Sequence, residues 1–343
     1  MKSECNLNWH QVCLALGVHF KGVLIMNPLN QLIKTALAII FVVSSANVLA
    51  WPTQPITIIV GFAPGGNTDI IARQLAPILS SKLGQPVIVE NKPGAGSMIG
   101  TQFVARSKDG HTFLMGTFAN VLGEFFYRNK IVDLKKDLTP ITQVLTIANY
   151  VATAPNSKIN SMADLITQVK LKPDNLSCAS SGVGTSGHLA CAMLAQSIGT
   201  KVNIIPYKGG APAMIDVMAG HTDFLAINEA LPYIRDKRLK GLAITSEKRS
   251  SLAPELPPVA DSIPGFDLVS WYGVFAPTGT PTNVIAKLNT EIVAAIKEPS
   301  VRDRIAALGA TPVGNSPKEF ATIINNDLTK YEKIIKALNI TLD

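Results

Sequence analysis

The sequence predicts a mixed α/β protein made of two similar halves, each with a mostly parallel sheet. Three observations lead to this prediction. Short runs of β-branched residues alternate with helical patterns from Ile56 onward, the alternation starts again near Tyr150, and glycine-rich loops join several strands to the helices that follow. Alternating strands and helices imply right-handed crossover connections, and such connections favour parallel pairing.

The composition is that of a folded protein with sizeable cores. The chain has 343 residues, of which 47% are hydrophobic and 16% are charged, so its length allows about two domains of ordinary size. Disorder is excluded because it requires low hydrophobicity and high net charge. The 25 glycines have no fixed period and there are only four cysteines, which excludes collagen-like and disulfide-dense classes.

Residues 1–50 are predicted to be a leader that directs export. The apolar run TALAIIFVVSSANVLA follows Lys34 and ends in a small-x-small pattern, so we expect Sec-dependent export with cleavage after about Ala50. The run is shorter than the ~20 apolar residues that span a bilayer, which disfavours a membrane anchor. No cysteine stands directly after it, which argues against a lipoprotein. Because the first 25 residues are unusually long for such a leader, Met26 is an alternative start.

The expected mature chain, residues 51–343, is mildly basic and retains two cysteines. Its net charge falls from +7 to +5, and its basic residues are scattered, so nothing indicates nucleic acid binding. An oxidising compartment would permit a Cys178–Cys191 disulfide. We favour free thiols, because Cys178 is predicted in a strand and Cys191 inside a helix.

The elements follow from composition and periodicity. The first half predicts strand 56–60, helix 69–83, strand 86–90, helix 97–107 and strand 111–115. The second half predicts strand 150–153, helix 161–170 with Ser161 as its N-cap, strand 176–179, helix 188–198, strand 202–206, helix 211–219, and strands 223–227 and 239–245. Gly199 and Gly220 end two of these helices. A Pro/Gly-rich stretch over 253–265 leads to strand 269–276 and to helices 281–297, 300–308 and 317–338.

Three glycine-rich loops are the candidate ligand sites. They are 62–69 (FAPGGNTD), 91–97 (NKPGAGS) and 180–188 (SSGVGTSGH), each between a predicted strand and helix. Glycine lets backbone N–H groups approach a ligand, and a helix N-terminus attracts carboxylate or phosphate. In an open α/β sheet, loops at the carboxyl ends of strands are where ligands bind.

Other chemistries lack their required residues. The third loop matches G-x-G-x-x-G, but no acidic residue ends the next strand to bind a ribose, which argues against a dinucleotide. The segment from Gly184 to His188 matches the first four positions of the nucleophile-elbow motif G-x-S-x-G, but its fifth residue is His instead of Gly. No metal-binding spacing is present, so the sequence predicts no catalytic residue, no metal and no cofactor.

Several loop residues have two interpretations each. Asp69 is as suited to capping its helix as to contacting a ligand. The hydroxyls of Thr68, Ser181 and Thr185 suit a carboxylate oxygen, although turn formation alone also selects them. Phe62 is either a lid or a core residue, and His188 is more simply a neutral packing residue. Asn228 and Glu229 follow a predicted strand and are placed to contact the far side of a ligand.

Seven ordered segments resemble the Bug, or TctC, family of extracytoplasmic solute receptors of tripartite tricarboxylate transporters. They are WPTQPITIIVGFAPGGNTDIIAR, VIVENKPGAGSMIGTQFVA, KDGHTFLMGT, SSGVGTSGHLA, IPYKGGAPAMIDVMAGHTDF, LAITSEKR and WYGVFAPTGTP. The match runs from Trp51 to about Ile340. Two departures stand out: the family commonly has Pro in place of Gly61, and Gly in place of Ser97.

The resemblance implies a type II periplasmic binding protein fold. Two α/β domains, 51–152 plus 273–343 and 153–272, would be joined by two crossing strands, with the ligand in the cleft between them. The family binds small carboxylates, including di- and tricarboxylates, acidic amino acids and aromatic acids. The implied contacts lie mainly in the first and third loops: Phe62, Ala63, Gly65, Gly66, Thr68, Asp69, Thr117, Ser181, Gly184, Thr185, His188 and Asn228.

The sequence and the resemblance together predict a monomeric, non-enzymatic periplasmic receptor. It would pass a small carboxylate to the membrane subunits of a tripartite tricarboxylate transporter. A receptor that serves a sensor kinase is an alternative, since both roles need the same closure around a ligand. An exported hydrolase that uses the same cleft is a further alternative from a different class. No loop offers an arginine clamp that would demand a second carboxylate.

Overall fold

Two mixed β-sheets flanked by helices form the core of the protein in a computed structural model, which describes residues 51–127, 130, 132–172 and 175–338. The predicted signal peptide lies outside the described residues. The strands are β1 (Ile56–Val60), β2 (Val87–Asn91), β3 (Thr112–Thr117), β4 (Leu138–Ala148), β5 (Tyr150–Thr153), β6 (Ser177–Ser180), β7 (Asn203–Pro206), β8 (Phe224–Ile227), β9 (Lys240–Ile244), β10 (Val269–Pro277) and β11 (Ala310–Pro312).

The helices pack on the faces of these sheets. They are α1 (Asn67–Leu83), α2 (Met98–Ala105), α3 (Ala119–Phe126), α4 (Leu134–Asp137), α5 (Met162–Leu171), α6 (Ser186–Ile198), α7 (Gly210–Ala219), α8 (Leu231–Arg235), α9 (Thr282–Lys297), α10 (Pro299–Ala307) and α11 (Pro317–Leu338). Short 3₁₀ turns cover Ala95–Ser97, Asn228–Ala230 and Val259–Asp261. No helix within the described ranges is long and apolar enough to cross a membrane.

The first sheet has six strands in the order β11-β4-β10-β3-β1-β2, and the second has five in the order β7-β6-β8-β5-β9. The strands β1, β2 and β3 pair in parallel, as do β6, β7 and β8. The pairings of β10, β11 and β5 are antiparallel. The expectation of mostly parallel sheets is therefore wrong, because the segments that pass between the sheets run against their neighbours.

The chain changes sheet at two places, and hydrogen bonds tie these places together. Asn149 separates β4 from β5, and residues 245–268 connect β9 to β10. The Thr245 N–H donates to the Asn149 carbonyl at 2.9 Å, and the Thr245 hydroxyl donates to the Leu268 carbonyl at 2.7 Å. Thr245 thus holds the two connections together. The domain boundaries near 152 and 272 remain a prediction.

Helix ends follow the sequence signals closely. Ser161 caps α5, because its hydroxyl accepts the Asp164 N–H at 3.1 Å. Gly199 and Gly220 take left-handed conformations at the C-termini of α6 and α7, with φ of 75° and 78°. These positions need glycine because a side chain disfavours this conformation.

Cys178 and Cys191 form a disulfide, so the expectation of free thiols is wrong. Cys178 lies in β6 and Cys191 in α6, and their Cα atoms are 6.1 Å apart. The prediction failed because α6 packs directly on β6, which brings the two side chains within disulfide range. A strand position and a helix position do not by themselves show whether two cysteines are neighbours. Both residues are fully buried in one hydrophobic cluster.

Candidate ligand-binding site

The loop after β1 leads into the N-terminus of α1 without a side-chain cap. Gly66 holds the N-cap position in an extended conformation, which leaves the first backbone N–H groups of α1 without a side-chain partner. Gly65 has a φ of 86°, and Ala63 is exposed beside it. Phe62 is half-buried and packs against the core of the first sheet. This arrangement suits an anion, because unpaired N–H groups and the helix dipole both favour negative charge.

Asp69 stabilises this loop from within the protein. Its carboxylate accepts hydrogen bonds from the Gly65 N–H at 3.0 Å, from Arg73 Nε at 2.9 Å and from Asn91 Nδ2 at 2.9 Å. Burial raises the pKa of Asp69, but hydrogen bonds from Arg73, Gly65 and Asn91 and the charge of Arg73 outweigh it, so the pKa lies below its usual value. Since these partners already engage the carboxylate, Asp69 has a structural role in the loop, although it bonds to Gly65 and does not cap the first N–H groups of α1.

The loop after β6 is built in a similar way. Thr185 caps α6: its hydroxyl accepts the His188 N–H at 3.3 Å and donates to the Gly182 carbonyl at 2.7 Å. Gly184 has a φ of 78°. The Ser181 hydroxyl donates to Glu229 Oε2 at 3.3 Å. The Thr185 hydroxyl thus bonds within its own loop and helix, whereas the Ser181 hydroxyl connects this loop to Glu229.

His188 is a packing residue at the start of α6. Its ring stacks edge-on against Phe126, with centroids 5.7 Å apart. Burial lowers its pKa, which keeps the imidazole neutral near neutral pH. Thr117 is also engaged within the fold, since its hydroxyl accepts the Ala119 N–H at 3.2 Å and its own N–H donates to Asn120 Oδ1 at 2.7 Å.

The loops that follow strands of the two sheets come into contact. A Cβ atom on Gly96 would lie 2.9 Å from the Val183 carbonyl oxygen, and one on Gly184 would lie 3.5 Å from the Phe126 ring. Behind this contact, the Ser186 hydroxyl donates to Asn149 Oδ1 at 3.1 Å, which ties α6 to a sheet connection. The glycine-rich loops therefore face one another at the carboxyl ends of their strands.

A buried tyrosine joins residues from both sides of this contact. The side chains of Thr68, Asn228 and Asn67 lie close enough to the Tyr272 hydroxyl to act on its pKa, which they lower. All four residues are at least nine-tenths buried. Asn67 and Thr68 open α1, Asn228 follows β8, and Tyr272 lies in β10. Burial and the charge of Glu229 raise the pKa of Tyr272, so its hydroxyl keeps its proton.

Two amide atoms of this cluster have no hydrogen-bond partner. They are Nδ2 of Asn67 and Oδ1 of Asn228, both buried. Buried polar atoms are nearly always paired, so two such atoms in one cluster mark a place where a ligand can bind. By contrast, no group of three metal-binding side chains occurs in the described part of the chain.

The sequence predicted Thr68 and Asn228 but missed Asn67 and Tyr272. Tyr272 stands in the apolar run VSWYGVFA, where an aromatic residue is typical of a core. Only its antiparallel register, opposite Thr117 of β3, brings its hydroxyl to the ends of the parallel strands. Asn67 lies next to a predicted residue, and its position at the start of a helix was an available signal.

Comparison with known proteins identifies the family. The family model described as "Tripartite tricarboxylate transporter family receptor" matches residues 71–340. The chain belongs to this receptor family. Protein BugT of Bordetella pertussis is 35% identical over 292 residues, which cover 83% of this chain and 90% of that protein.

Solved structures of similar proteins share the fold. The periplasmic binding protein BugD is 31% identical, with a TM-score of 0.80 over 85% of this chain and 100% of its own. Rpa4515 of R. palustris with adipate has 31% identity and a TM-score of 0.81, over 85% of this chain and all of its own. MatC from Rhodopseudomonas palustris with bound malate has 27% identity and a TM-score of 0.78, over 83% and 100%. The predicted periplasmic binding protein fold is thus confirmed, and these relatives of the receptor family are binding proteins.

Proposed function

We propose that this protein is an exported receptor that binds a small carboxylate between its two sheets and passes it to the membrane subunits of a tripartite transporter. The observation that carries the proposal is the Tyr272 cluster, where Asn67 and Thr68 meet Asn228 and two amide atoms lack partners. The Asn67 amide and the uncapped N–H groups at the start of α1 suit a carboxylate, because these neutral donors can hydrogen-bond its negative oxygens without a positively charged side chain.

The same proposal gives each sheet its own domain, with the boundaries expected from the sequence. Binding energy would hold the two domains closed, and no chemical step would follow. The contact between Gly96 and the Val183 carbonyl is compatible with a closed arrangement. The disulfide supports export through the predicted leader, since disulfides persist in oxidising compartments such as the periplasm. We expect the receptor to act as a monomer.

A thermal shift assay tests this proposal. The protein is unfolded and refolded to remove any carried ligand, then heated with a panel of mono-, di- and tricarboxylates in buffer free of citrate and phosphate. A ligand at 100 times its dissociation constant adds about 2.7 kcal/mol of stability, so a true ligand gives a clear upward shift. If no carboxylate shifts the folded protein, the proposed function is wrong.

Tyr272→Phe locates the site within the fold. The variant keeps the buried ring but removes the hydroxyl that lies beside Asn67 and Asn228. We expect a loss of affinity of about tenfold, because one hydrogen bond to a buried polar group is at stake. Tyr233→Phe, which removes a hydroxyl outside the cluster, is the matched control. Equal affinities of the two variants would place the ligand elsewhere.

A further inference from the structure

The two segments that pass between the sheets meet at Asn149, Thr245 and Leu268. In the first sheet, the ladder of β4 and β10 ends with Ala148 opposite Val269. In the second sheet, the ladder of β5 and β9 begins with the residue after Asn149 opposite the residue before Thr245. These three residues therefore lie between the last pair of one sheet and the first pair of the other. Positions of this kind, at the ends of elements, absorb the change when two domains rotate.

Hydrogen bonds make these two segments one unit. The Thr245 hydroxyl accepts the Asn149 N–H at 2.8 Å and donates to the Leu268 carbonyl at 2.7 Å. The backbone adds two bonds of 2.9 Å, from the Thr245 N–H to the Asn149 carbonyl and from the Leu268 N–H to the Thr245 carbonyl. All three residues are buried, so water does not replace a bond that breaks. The segments are therefore expected to bend together.

The side chain of Asn149 connects this unit to a candidate binding loop. Its Oδ1 accepts the Ser186 hydroxyl at 3.1 Å, and both side chains are buried. Ser186 is the first residue of α6 and belongs to the glycine-rich loop 180–188, directly after the capping residue Thr185. A shift of this loop therefore acts on Asn149, and through the Asn149 backbone on Thr245.

The Asn149 amide makes only part of its possible bonds in this arrangement. Its Nδ2 is buried and has no hydrogen-bond partner among the described residues. Buried polar atoms are nearly always paired, so this nitrogen calls for an explanation. A residue that serves two arrangements of the crossing segments cannot satisfy every atom in both of them. The unpaired nitrogen is thus what we expect of a side chain at a moving joint.

We propose that Asn149 is a positioning residue for domain closure, which it links to the position of loop 180–188 through Ser186. The inference rests on the proposed function, since it concerns closure around the same ligand. A ligand that holds the loop would, through this bond, hold the crossing segments in the arrangement in which the loops of both sheets touch. Without the bond, the loop can take up a ligand while the segments still bend, so less of the binding energy favours the closed state. The role requires no contact between Asn149 and the ligand.

Small-angle X-ray scattering of the refolded, ligand-free protein tests this link. Ser186→Ala removes the donor of the bond, and Asn149→Ala removes its acceptor. We expect both variants to have a larger radius of gyration than the wild type. The double variant should be no more expanded than Asn149→Ala alone, because both substitutions break the same bond. Ser197→Ala, at an exposed serine near the other end of α6, is the matched control and should leave the radius unchanged.

Calorimetry and scattering with adipate and malate, which are bound in the related structures, add the ligand-bound state. For a compound that binds the wild type, Ser186→Ala should weaken binding about fivefold, the equivalent of one neutral hydrogen bond. Variants that match the radius of the wild type, both without and with ligand, overturn the inference. This holds even if affinity falls, since the bond would then act on the loop alone, or if only urea stability falls, since its role would then be structural.

The inference and the proposed function can fail separately. The scattering comparison of ligand-free proteins needs no ligand, so it decides the role of Asn149 even if no carboxylate binds, a result that counts against the proposed function alone. Ser186→Ala removes a single oxygen atom and decides the test if Asn149→Ala does not fold.

Discussion

Gly61 and Ser97 are the two residues at which the chain departs from the common family pattern, and they touch. A Cβ atom on Gly61 would lie 2.0 Å from Ser97 Oγ and 2.7 Å from Ser97 Cβ. Ser97 is almost fully buried, has a φ of 82° and has no hydrogen-bond partner for its hydroxyl. The Ser97 side chain therefore occupies the space that a side chain at position 61 would need.

Gly61→Ala is therefore expected to destabilise the protein by about 1–3 kcal/mol, the usual cost of forcing a group into a packed site. Ser97→Gly vacates the space and relieves the left-handed conformation, so the double variant should recover most of that loss. Urea unfolding of the wild type, both single variants and the double variant measures the coupling. Additive effects would show that the two residues do not compete for one space.

Single residues were the hardest part of the site to predict. The glycine-rich loops were visible because Gly, Ser and Thr cluster there, and Thr68, Ser181 and Asn228 do lie where the loops meet. Asp69 and Thr185 were ambiguous, since capping and ligand contact select the same side chains. Tyr272 could not be predicted, because its role depends on the strand register and not on its neighbours in sequence.

Asp327 of α11 provides a pH-dependent contact with β10. Its carboxylate accepts the Trp271 indole N–H at 2.7 Å. Burial raises the pKa of Asp327 from 3.8 to about 6, although the Trp271 hydrogen bond and the charge of Lys330 oppose the rise. Between these two pH values the folded state holds the proton more tightly than the unfolded state does. This group's contribution to stability therefore falls as pH rises through that range.

Asp327→Asn removes this dependence and keeps an oxygen for Trp271. We expect the variant to be more stable than the wild type above pH 6, with the difference shrinking toward pH 4. Denaturant unfolding of both proteins at several pH values gives the comparison, and other titrating groups cancel in the difference. A variant that is less stable than the wild type at pH 7.5 would contradict the assignment.

The disulfide connects the two elements that flank a candidate binding loop. Cys178 in β6 and Cys191 in α6 are 13 residues apart in sequence, and the whole stretch from Ser180 to His188 lies between them. The crosslink therefore limits how far β6 and α6 can separate, and it holds the loop in place from both ends.

Replacing both cysteines with alanine should lower the free energy of unfolding by about 3 kcal/mol, the chain-entropy value for a closed loop of this length. In urea, which exposes the buried disulfide on unfolding, a reductant should destabilise the wild type. The double variant has no disulfide, so the reductant should leave its stability unchanged, and it serves as the control. If the double variant and the oxidised wild type unfold at the same urea concentration, the disulfide does not stabilise the fold.

Most elements could be predicted, and the exceptions have physical reasons. The helices after Gly-rich loops and the β-branched strands agree with the structure to within a few residues. The long strand β4 was missed, because its sequence LTPITQVLTIA contains a proline and several polar residues. It forms a strand through pairing with β10 and β11, which are distant in sequence. Tertiary pairing of this kind overrides local propensity.

On the scale of the whole molecule, the α/β class and its two halves were evident, while the direction of the strands was not. Alternation of strands and helices correctly gave the parallel sets β1–β3 and β6–β8. It gave the wrong result for β5 and β10, because these strands adjoin the places where the chain changes sheet. Near such connections a strand enters its sheet from the other half of the protein. Its direction relative to its neighbours therefore depends on the path of the whole chain and not on its local sequence.

The strand order of the first sheet also determines when that sheet can form during synthesis. β10 lies between β3 and β4, yet it follows every strand of the second sheet in the chain. A nascent chain that has reached β9 can finish the second sheet but leaves β3 without its partner. The first sheet therefore closes only near the end of translation. If the chain crosses a membrane before it folds, as we propose, this delay is useful, because the first sheet stays incomplete until β10 has been made.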